Sequence, residues 1–281
     1  MLNVLEVVKK TSEFFASKGI DSPRLNAELL VGHALGLARM RLYLEFERPV
    51  GDAELAAIRE LVRRRGRREP LQYVLGFTEF SGLRLKTDPR ALIPRPETEL
   101  LVEVVVERSA PAPGHILDLG TGGGAIALAL AKAFPSALVT AADANAGALS
   151  LAAENAEATG LSGRVEFVES DWFDGIPGGR AYGLIVSNPP YLSAEETAGA
   201  SPEVRNHEPA QALTSGSGGF ADIERIIEGS AANMAPGGLL ALETGTGHHA
   251  LAAQAALGAG FARTESLQDL TGRDRIFLAW R

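Results

Sequence analysis

The sequence predicts an α/β fold preceded by a small all-helical domain, and three observations lead to this prediction. From Glu97 onward, helical and strand patterns alternate, which is typical of α/β proteins. Residues 1–70 carry only helical periodicity. Between them, two short apolar runs flank a Ser-Gly pair, which indicates a β-hairpin. We therefore expect a helical domain over 1–73, a β-hairpin linker over 74–94 and an α/β domain over 95–281.

The helical domain is expected to hold three or more helices. One is predicted to begin at Pro23 with Ser22 as its N-cap, and another to run from about Asp52 to Arg65. The arginines that crowd the end of the second helix are Arg59, Arg63, Arg64, Arg65, Arg67 and Arg68. They form either a solvated face that suits the negative end of the helix dipole, or a surface that docks an acidic partner or RNA.

In the α/β domain each strand is a short apolar run and each helix a longer segment between two runs. The first helix is predicted over Glu97 to Glu107. The predicted strands are 116–119, 137–142, 165–168, 184–187, 239–242, 262–267 and 276–279. The remaining helices are predicted over 125–134, 146–159, 220–234 and 249–257.

Composition excludes several classes of protein. The 281 residues include no cysteine, which excludes disulfides, thiolate metal sites and a cysteine nucleophile. The five histidines show no metal-ligand spacing, so no metal site is expected. No apolar run is long enough for a signal peptide or a membrane span, so we expect a soluble, cytoplasmic protein. Residues 1–70 hold 13 Lys/Arg against 10 Asp/Glu and the remainder 14 against 25, which indicates two modules with different partners.

A glycine-rich loop follows the first strand of the α/β domain. It consists of Gly120, Thr121, Gly122, Gly123 and Gly124, and a helical pattern begins directly after it. Glycines let the backbone approach a ligand where a side chain would collide. The same residues also satisfy a loose dinucleotide fingerprint, and a purely structural turn is a further alternative.

Two carboxylates favour S-adenosylmethionine as the ligand of this loop. Asp143 ends the second strand, where a carboxylate accepts both ribose hydroxyls. Asp118, beside the loop, repels a pyrophosphate but helps to hold the cationic amino acid part of S-adenosylmethionine. After the third strand, Asp171 is predicted to accept the adenine amino group and Trp172 to cover the ring. The alternative for this pair is a helix cap and a core aromatic.

A rigid tetrapeptide follows the fourth strand and is predicted to hold the group that receives the methyl. It consists of Asn188, Pro189, Pro190 and Tyr191. The Asn188 Oδ1 and the Pro189 carbonyl can accept both hydrogens of a planar NH₂ group, which fixes its nitrogen for in-line attack. Tyr191 is expected to stack on the acceptor or to exclude water, and a mere rigid turn is the alternative.

With these residues assembled, the chain resembles the release factor glutamine methyltransferase family over nearly its whole length. Beyond the glycine loop, Asp171 to Phe173 and the tetrapeptide, the resemblance rests on four further segments, residues 70–76, 92–99, 208–213 and 269–275. It implies a helical N-terminal domain that docks the substrate, a hairpin linker and a Rossmann-like class I S-adenosylmethionine-dependent methyltransferase domain. That domain has a mostly parallel sheet of seven strands.

The resemblance also implies an activity and site residues. The activity is methylation of the glutamine side-chain nitrogen in the Gly-Gly-Gln motif of peptide chain release factors, which act in translation termination. The resemblance places Gly120 to Gly124, Asp143, Trp172 and Asn188 at the methyl donor, and Asn188 to Tyr191 at the glutamine amide. Asp118 and Asp171 are added on chemical grounds alone.

The chain departs from the family pattern at two places. Gly123 stands where the family usually has a small polar residue, and Glu243-Thr244-Gly245 stands where it usually has Glu-Ile-Gly. We expect neither departure to touch the chemistry. The extra glycine is expected to raise the ordering cost of donor binding.

Three other functions compete with this interpretation. A glutamine methyltransferase for a ribosomal protein would share the tetrapeptide. An adenine-N6 methyltransferase would hold an exocyclic amine in the same way, but it would need a basic groove, whereas this α/β domain is acidic. A dehydrogenase or a non-catalytic nucleotide-binding module would leave the tetrapeptide without a role. We therefore expect release factors as partners, with no membrane and no direct nucleic acid binding.

Overall fold

The structure, a computed structural model, describes residues 2–216 and 218–281, and the chain folds as two units. The first, which we call the helical unit, comprises Met1–Gly76 together with Pro202–His207. The second, which we call the α/β unit, comprises Phe77–Ser201 and Glu208–Arg281. The sequence did not indicate that a later segment groups with the N-terminal helices.

The N-terminal part of the helical unit consists of helices around one apolar core. Their bounds are α1 Val4–Ser17, α2 Pro23–Leu35, α3 Arg39–Leu44, α4 Asp52–Gly66 and α5 Leu71–Leu75. Helix α2 begins at Pro23 and Ser22 occupies its N-cap position, both as predicted. Ser22 lies in the left-handed region at φ 47°, however, and its side chain makes no capping hydrogen bond. None of the helices that the structure describes in either unit is long and apolar enough to cross a membrane.

The arginine cluster at the end of α4 is largely paired within the helical unit. Arg65 is only 6% exposed, which contradicts a solvated face at this position. Its guanidinium donates to Asn26 Oδ1 at 2.8 Å and lies 2.9 Å from the carboxylate of Glu203. Arg68 lies 2.8 Å from the same carboxylate, and Arg64 pairs with Glu69. Glu203 therefore neutralises two arginines from 135 or more residues earlier in the chain.

The α/β unit begins with the hairpin β1 Phe77–Phe80 and β2 Leu83–Lys86, which confirms the two predicted strands. Its other strands are β3 His115–Leu119, β4 Leu138–Asp143, β5 Val165–Glu169, β6 Tyr182–Ser187, β7 Met234–Glu243, β8 Arg263–Gln268 and β9 Asp274–Trp280. Its helices are α6 Pro96–Arg108, α7 Ala125–Ala133, α8 Ala146–Ala158, α9 Ala194–Gly199, α11 Ala221–Asn233 and α12 His249–Gly258, while α10 is Pro202–His207 of the helical unit.

Strands β3 to β9 form one sheet of seven strands in the order β5-β4-β3-β6-β7-β9-β8. The first five in that order are parallel, and β9 runs antiparallel to both β7 and β8. This is the mostly parallel sheet of the class I methyltransferase fold. The strand order reverses between β3 and β6, and ligands of such sheets bind at the carboxyl ends beside this switch point.

Apolar side chains cover both faces of the sheet, as a buried parallel sheet requires. Along β3, Ile116 packs into the core on one face, whereas Leu117 and Leu119 pack into the core on the other. Strand β6 repeats the alternation with Leu184 and Ile185. Because both faces are filled, ligand chemistry is confined to the loops at the strand ends.

Candidate functional site

The glycine loop connects β3 to α7 at the switch point, and its conformation requires glycine at two positions. Gly122 has φ +55° and Gly124 φ +85°, which L side chains rarely adopt. A Cβ on Gly124 would lie only 3.1 Å from the Cβ of Ala152 on α8, so close helix packing also requires glycine there. The Gly123 carbonyl accepts a hydrogen bond from Asn155 at 2.9 Å. This hydrogen bond holds the backbone at Gly123, the position where the sequence predicts extra flexibility of the loop.

Asp118 lies beneath the loop and is fully buried. Its Oδ2 accepts hydrogen bonds from the Thr121 hydroxyl at 2.6 Å and the Ala127 N–H at 3.0 Å. Its Oδ1 has no hydrogen-bond partner among the described residues. Burial raises the pKa of Asp118 to about 7. The structure thus places Asp118 as a support of the loop, and it does not bring this side chain to the surface of the cleft.

Asp143, in contrast, faces the cleft from the end of β4. Its Oδ2 accepts from the Gly122 N–H and its Oδ1 from the Asn145 N–H, both at 2.8 Å. Burial raises the pKa of Asp143, while these two hydrogen bonds favour the charged form. Each carboxylate oxygen has two lone pairs, so each can accept one further hydrogen bond from a ligand.

Trp172 forms one wall of the cleft. Its backbone has φ 50°, and its indole lies beside Gly120, where an added Cβ would be 3.5 Å from the ring. The indole N–H donates to Asp222 Oδ1 at 3.1 Å. Neighbouring Asp171 is largely exposed and pairs with Arg225 at 3.3 Å. The flat face of Trp172 is therefore fixed in place, whereas Asp171 is available from solvent.

These residues line a cavity of about 260 Å³ at the carboxyl ends of β3, β4 and β6. Among the predicted site residues it is lined by Gly120, Gly122, Asp143, Asp171, Trp172, Asn188 and Pro190. Asp118, Thr121, Gly123, Gly124, Pro189 and Tyr191 are not part of its lining. Sequence reasoning missed further lining residues, among them Arg90, Leu92, Asn145, Gln211, Asp222 and Arg225.

The segment before α6 is tied to the same region. Glu208 is buried, and its carboxylate accepts from the Ile93 N–H at 3.2 Å and pairs with Arg95 at 2.5 Å. Pro209, the next residue, lines the cavity together with Leu92. These contacts hold the segment before α6 against the segment at Glu208.

The tetrapeptide is anchored by side chains from other elements. The Asn188 Nδ2 donates to the Thr98 hydroxyl at 3.1 Å, and the Tyr191 hydroxyl donates to Glu243 Oε1 at 3.1 Å. Burial raises the pKa of Tyr191 above its ordinary value, which keeps the phenol neutral. The guanidinium of Arg275 lies 5.6 Å from the centre of the Tyr191 ring.

Glu243 connects the tetrapeptide to α6. It accepts hydrogen bonds from both Tyr191 and Thr98, whereas the departure from the family pattern in this triplet is at Thr244. Thr98 was noted only as part of a matching segment. Its position in the first turn of α6 gave no sign that it would contact Asn188, which lies 90 residues later.

Comparison with known proteins agrees with this geometry. Residues 6–76 match the PrmC N-terminal domain family and residues 96–217 match the methyltransferase small domain family. A release factor glutamine methyltransferase from Chlorobaculum tepidum is 44% identical over 97% of this chain and 95% of the relative. Another with that name, from Geobacter sulfurreducens, is 42% identical over 97% of this chain and 95% of the relative.

Solved structures support the fold. A methyltransferase from Pyrococcus furiosus superposes with a TM-score of 0.53 at 18% identity, covering 71% of this chain and 89% of that one. The 16S rRNA N2 G1207 methyltransferase of T. thermophilus, solved with AdoMet and guanosine, superposes with a TM-score of 0.52 at 19% identity. It covers 73% of this chain and 49% of that one. At this identity the likeness concerns the fold alone. The full-length relatives establish more: this chain belongs to the release factor glutamine methyltransferase family and is a methyltransferase dependent on S-adenosylmethionine.

Proposed function

We propose that this enzyme methylates the side-chain amide nitrogen, N5, of the glutamine in the Gly-Gly-Gln motif of release factors. The observation that carries the proposal is that one cavity is lined both by the donor residues Gly120, Gly122 and Asp143 and by Asn188 of the tetrapeptide. Donor and acceptor would then meet at the switch point of the sheet. The names of the relatives supply the substrate class.

The residues of the cavity fit S-adenosylmethionine. Asp143 retains lone pairs for the two ribose hydroxyls, and the Trp172 indole offers a flat face for the adenine. When bound, S-adenosylmethionine supplies a methyl group on a sulfonium, and the electrons of the broken C–S bond remain on sulfur. Gly120 and Gly122 would let the backbone approach the donor. Asp171 is proposed to accept from the adenine amino group.

Asp118 is proposed to act on the donor through the loop. It holds Thr121 and the first turn of α7. In its ionised form, which its raised pKa of about 7 favours only above neutral pH, it would place a negative charge under the loop where the cationic amino group of the donor is expected. This assigns it a supporting role in place of the direct contact predicted from the sequence. Thr121, Gly123 and Gly124 share that role because they shape the loop without lining the cavity.

The tetrapeptide is proposed to hold the glutamine amide. With its Nδ2 donating to Thr98, Asn188 keeps Oδ1 for one hydrogen of the substrate NH₂, and the Pro189 carbonyl would accept the other. The lone pair of the substrate nitrogen then forms the N–C bond to the methyl group. The nitrogen is transiently cationic and releases one proton to water. Pro190 keeps the turn rigid, and Tyr191 closes the site against solvent.

We also propose that the helical unit docks the release factor. The carrying observation is that residues 6–76 match a domain family of their own, separate from the methyltransferase match. A change on its surface is then expected to raise KM for the protein substrate without changing the affinity for the donor.

The experiment is a tritiated methyl-transfer assay with separate acceptors. These are a release factor, the same factor with the Gly-Gly-Gln glutamine changed to glutamate, total ribosomal protein and duplex DNA. Label in the first alone is the expected result. Label in ribosomal protein or in DNA alone would overturn the proposal in favour of the corresponding competing function, and equal label in the glutamate variant would show that another residue is modified.

A further inference from the structure

Four side chains from three separate parts of the α/β unit form one hydrogen-bonded chain behind the tetrapeptide. The Thr98 hydroxyl donates to Glu243 Oε2 at 2.7 Å, and the Tyr191 hydroxyl donates to Glu243 Oε1 at 3.1 Å. The Asn188 Nδ2 donates to Thr98 at 3.1 Å. Thr98 is 3% exposed and Glu243 1%, so the two residues at the centre of the chain are buried. Neither of these two residues lines the cavity.

With Glu243 ionised, the chemistry of the four groups fixes the direction of every hydrogen bond. An ionised carboxylate only accepts, so both hydroxyls must donate to Glu243. The single hydrogen of Thr98 is then used, and its oxygen can only accept from Asn188. Asn188 must therefore present Nδ2 to Thr98 and Oδ1 in the opposite direction. With the amide reversed, Oδ1 would face the Thr98 oxygen with no hydrogen between them.

Opposing influences act on the charge of Glu243. Burial, with a contribution from Glu97, raises the pKa of Glu243, whereas the hydrogen bonds from Thr98 and Tyr191 and the positive charge of Arg275 favour the carboxylate. The Nη1 of Arg275 also donates to the Thr244 carbonyl at 3.0 Å, which keeps its charge close to the site. Arg275 therefore supplies the positive charge that favours the carboxylate of Glu243.

We propose that Glu243 and Thr98 are positioning residues that set the orientation of the Asn188 amide, so that its carbonyl oxygen faces the methyl-accepting NH₂ group. This inference rests on the proposed function for the identity of that group. A reversed Asn188 would present its own NH₂ to the substrate NH₂, two donors facing each other. The residues act through Asn188 and touch neither substrate nor donor.

The first test compares Thr98→Val with Thr98→Ser. Valine has a similar shape but cannot accept from Asn188, whereas serine retains the hydroxyl. We expect kcat with release factor to fall about 10- to 100-fold in Thr98→Val and to stay within about threefold in Thr98→Ser. The Kd for S-adenosylmethionine should remain within about twofold in both, because the donor residues are unchanged. Equal kcat in Thr98→Val and wild type would overturn the proposal.

Two further variants separate orientation from packing. Ser230→Ala removes another fully buried hydroxyl of the same unit, one without a hydrogen-bond partner among the described residues, and should leave kcat unchanged. Glu243→Gln keeps the shape of the carboxylate but places an NH₂ donor against Thr98 or Tyr191. We expect a loss of kcat in Glu243→Gln between those of Thr98→Ser and Thr98→Val, and kcat equal to wild type would contradict the role of Glu243.

A second measurement does not depend on the substrate. The side-chain NH₂ resonance of Asn188, assigned by its disappearance in Asn188→Ala, should show one slowly exchanging proton in the wild type. Its exchange should accelerate about tenfold or more in Thr98→Val and stay slow in Thr98→Ser. An unchanged resonance in Thr98→Val would overturn the proposal even if the wild type methylates another acceptor. A wild type inactive on release factor would refute only the proposed function.

Discussion

The donor side and the acceptor side of the cavity are built in different ways. On the donor side, the carboxylates of Asp118 and Asp143 accept mainly from backbone N–H groups. On the acceptor side, Asn188 and Tyr191 donate to the side chains of Thr98 and Glu243. The donor side therefore depends on backbone conformation, and the acceptor side on the identity of a few distant side chains.

This difference predicts which substitutions affect which ligand. A change in backbone freedom should weaken donor binding, whereas a change of side-chain hydrogen bonding near the tetrapeptide should lower kcat and leave donor binding intact. Four predictions are given in decreasing order of expected effect. Three test this separation, and the one at Asp118 tests the electrostatics beneath the donor loop.

Asn188→Ala should have the largest effect. It removes the proposed acceptor of one substrate hydrogen, and we expect kcat to fall about 10²- to 10³-fold while the Kd for the donor changes less than about threefold. Steady-state kinetics with release factor and calorimetry with S-adenosylmethionine measure the two quantities. Asn233→Ala, which removes an Asn side chain whose Nδ2 donates to the Gly229 carbonyl on α11, is the matched control. A donor Kd that rises as much as kcat falls would break the separation.

Asp118→Asn should alter the pH dependence of stability. Because the pKa of Asp118 is raised to about 7, the folded state binds a proton more tightly than the unfolded state. This side chain therefore destabilises the fold above pH 7, and the destabilisation is relieved as the pH falls toward 4. Replacing it removes a buried charge that lowers the free energy of unfolding by on the order of a few kcal/mol at pH 8. The melting temperature of the variant, relative to wild type, should be higher at pH 8 than at pH 5.

The exposed Asp174→Asn is the control for this comparison, and we expect its difference from wild type to be the same at both pH values. If the melting temperature of Asp118→Asn also differs from that of wild type by the same amount at pH 5 and pH 8, the assignment of a raised pKa to Asp118 is contradicted.

Gly122→Ala should weaken donor binding through the backbone. A side chain at φ +55° costs about 1–2 kcal/mol, which corresponds to about a tenfold rise in the Kd for S-adenosylmethionine if the loop relaxes in the free enzyme. Gly163→Ala, at a glycine with open space around it and no positive φ, should leave the Kd unchanged. A fall in kcat at saturating donor, with an unchanged Kd, would show that the loop also positions the acceptor.

Trp172→Phe should have the smallest effect. Phenylalanine keeps an aromatic face but loses the hydrogen bond to Asp222, so we expect the donor Kd to rise about two- to fivefold. Asp222→Asn retains an oxygen that can accept from the indole and should change the Kd less. An effect of Asp222→Asn larger than that of Trp172→Phe would mean that Asp222 contacts the donor directly.

The difference between local backbone patterns and contacts of distant side chains also explains which parts of the structure the sequence could predict. The seven strands, the hairpin and most of the helices were found because each is a contiguous pattern of apolar residues. The glycine loop and the tetrapeptide were found for the same reason, since each is a short continuous motif. Ser22 occupies the predicted N-cap position, but the chain enters α2 there in a left-handed conformation and the side chain makes no capping hydrogen bond.

The parts that could not be predicted join residues far apart in the chain. Glu243 and Thr98 are separated by 145 residues, and no local pattern in either segment indicates their hydrogen bond. Arg65 and Glu203 belong to the same class. Asp118 is an exception, because its partners Thr121 and Ala127 are near in the chain; the local pattern shows a carboxylate beside the loop and does not show that it is buried beneath it.

The inclusion of Pro202–His207 in the helical unit has a consequence for how these enzymes can be recombined. A chimera made by a single crossover near Gly76 would combine helices from one parent with Glu203 from the other, and would keep the Arg65 and Arg68 pairs only if both parents carry the same charges. The two units are therefore inherited as interleaved segments. Loss of the positive charge at Arg65 would leave the carboxylate of Glu203, more than a hundred residues downstream, with one partner fewer.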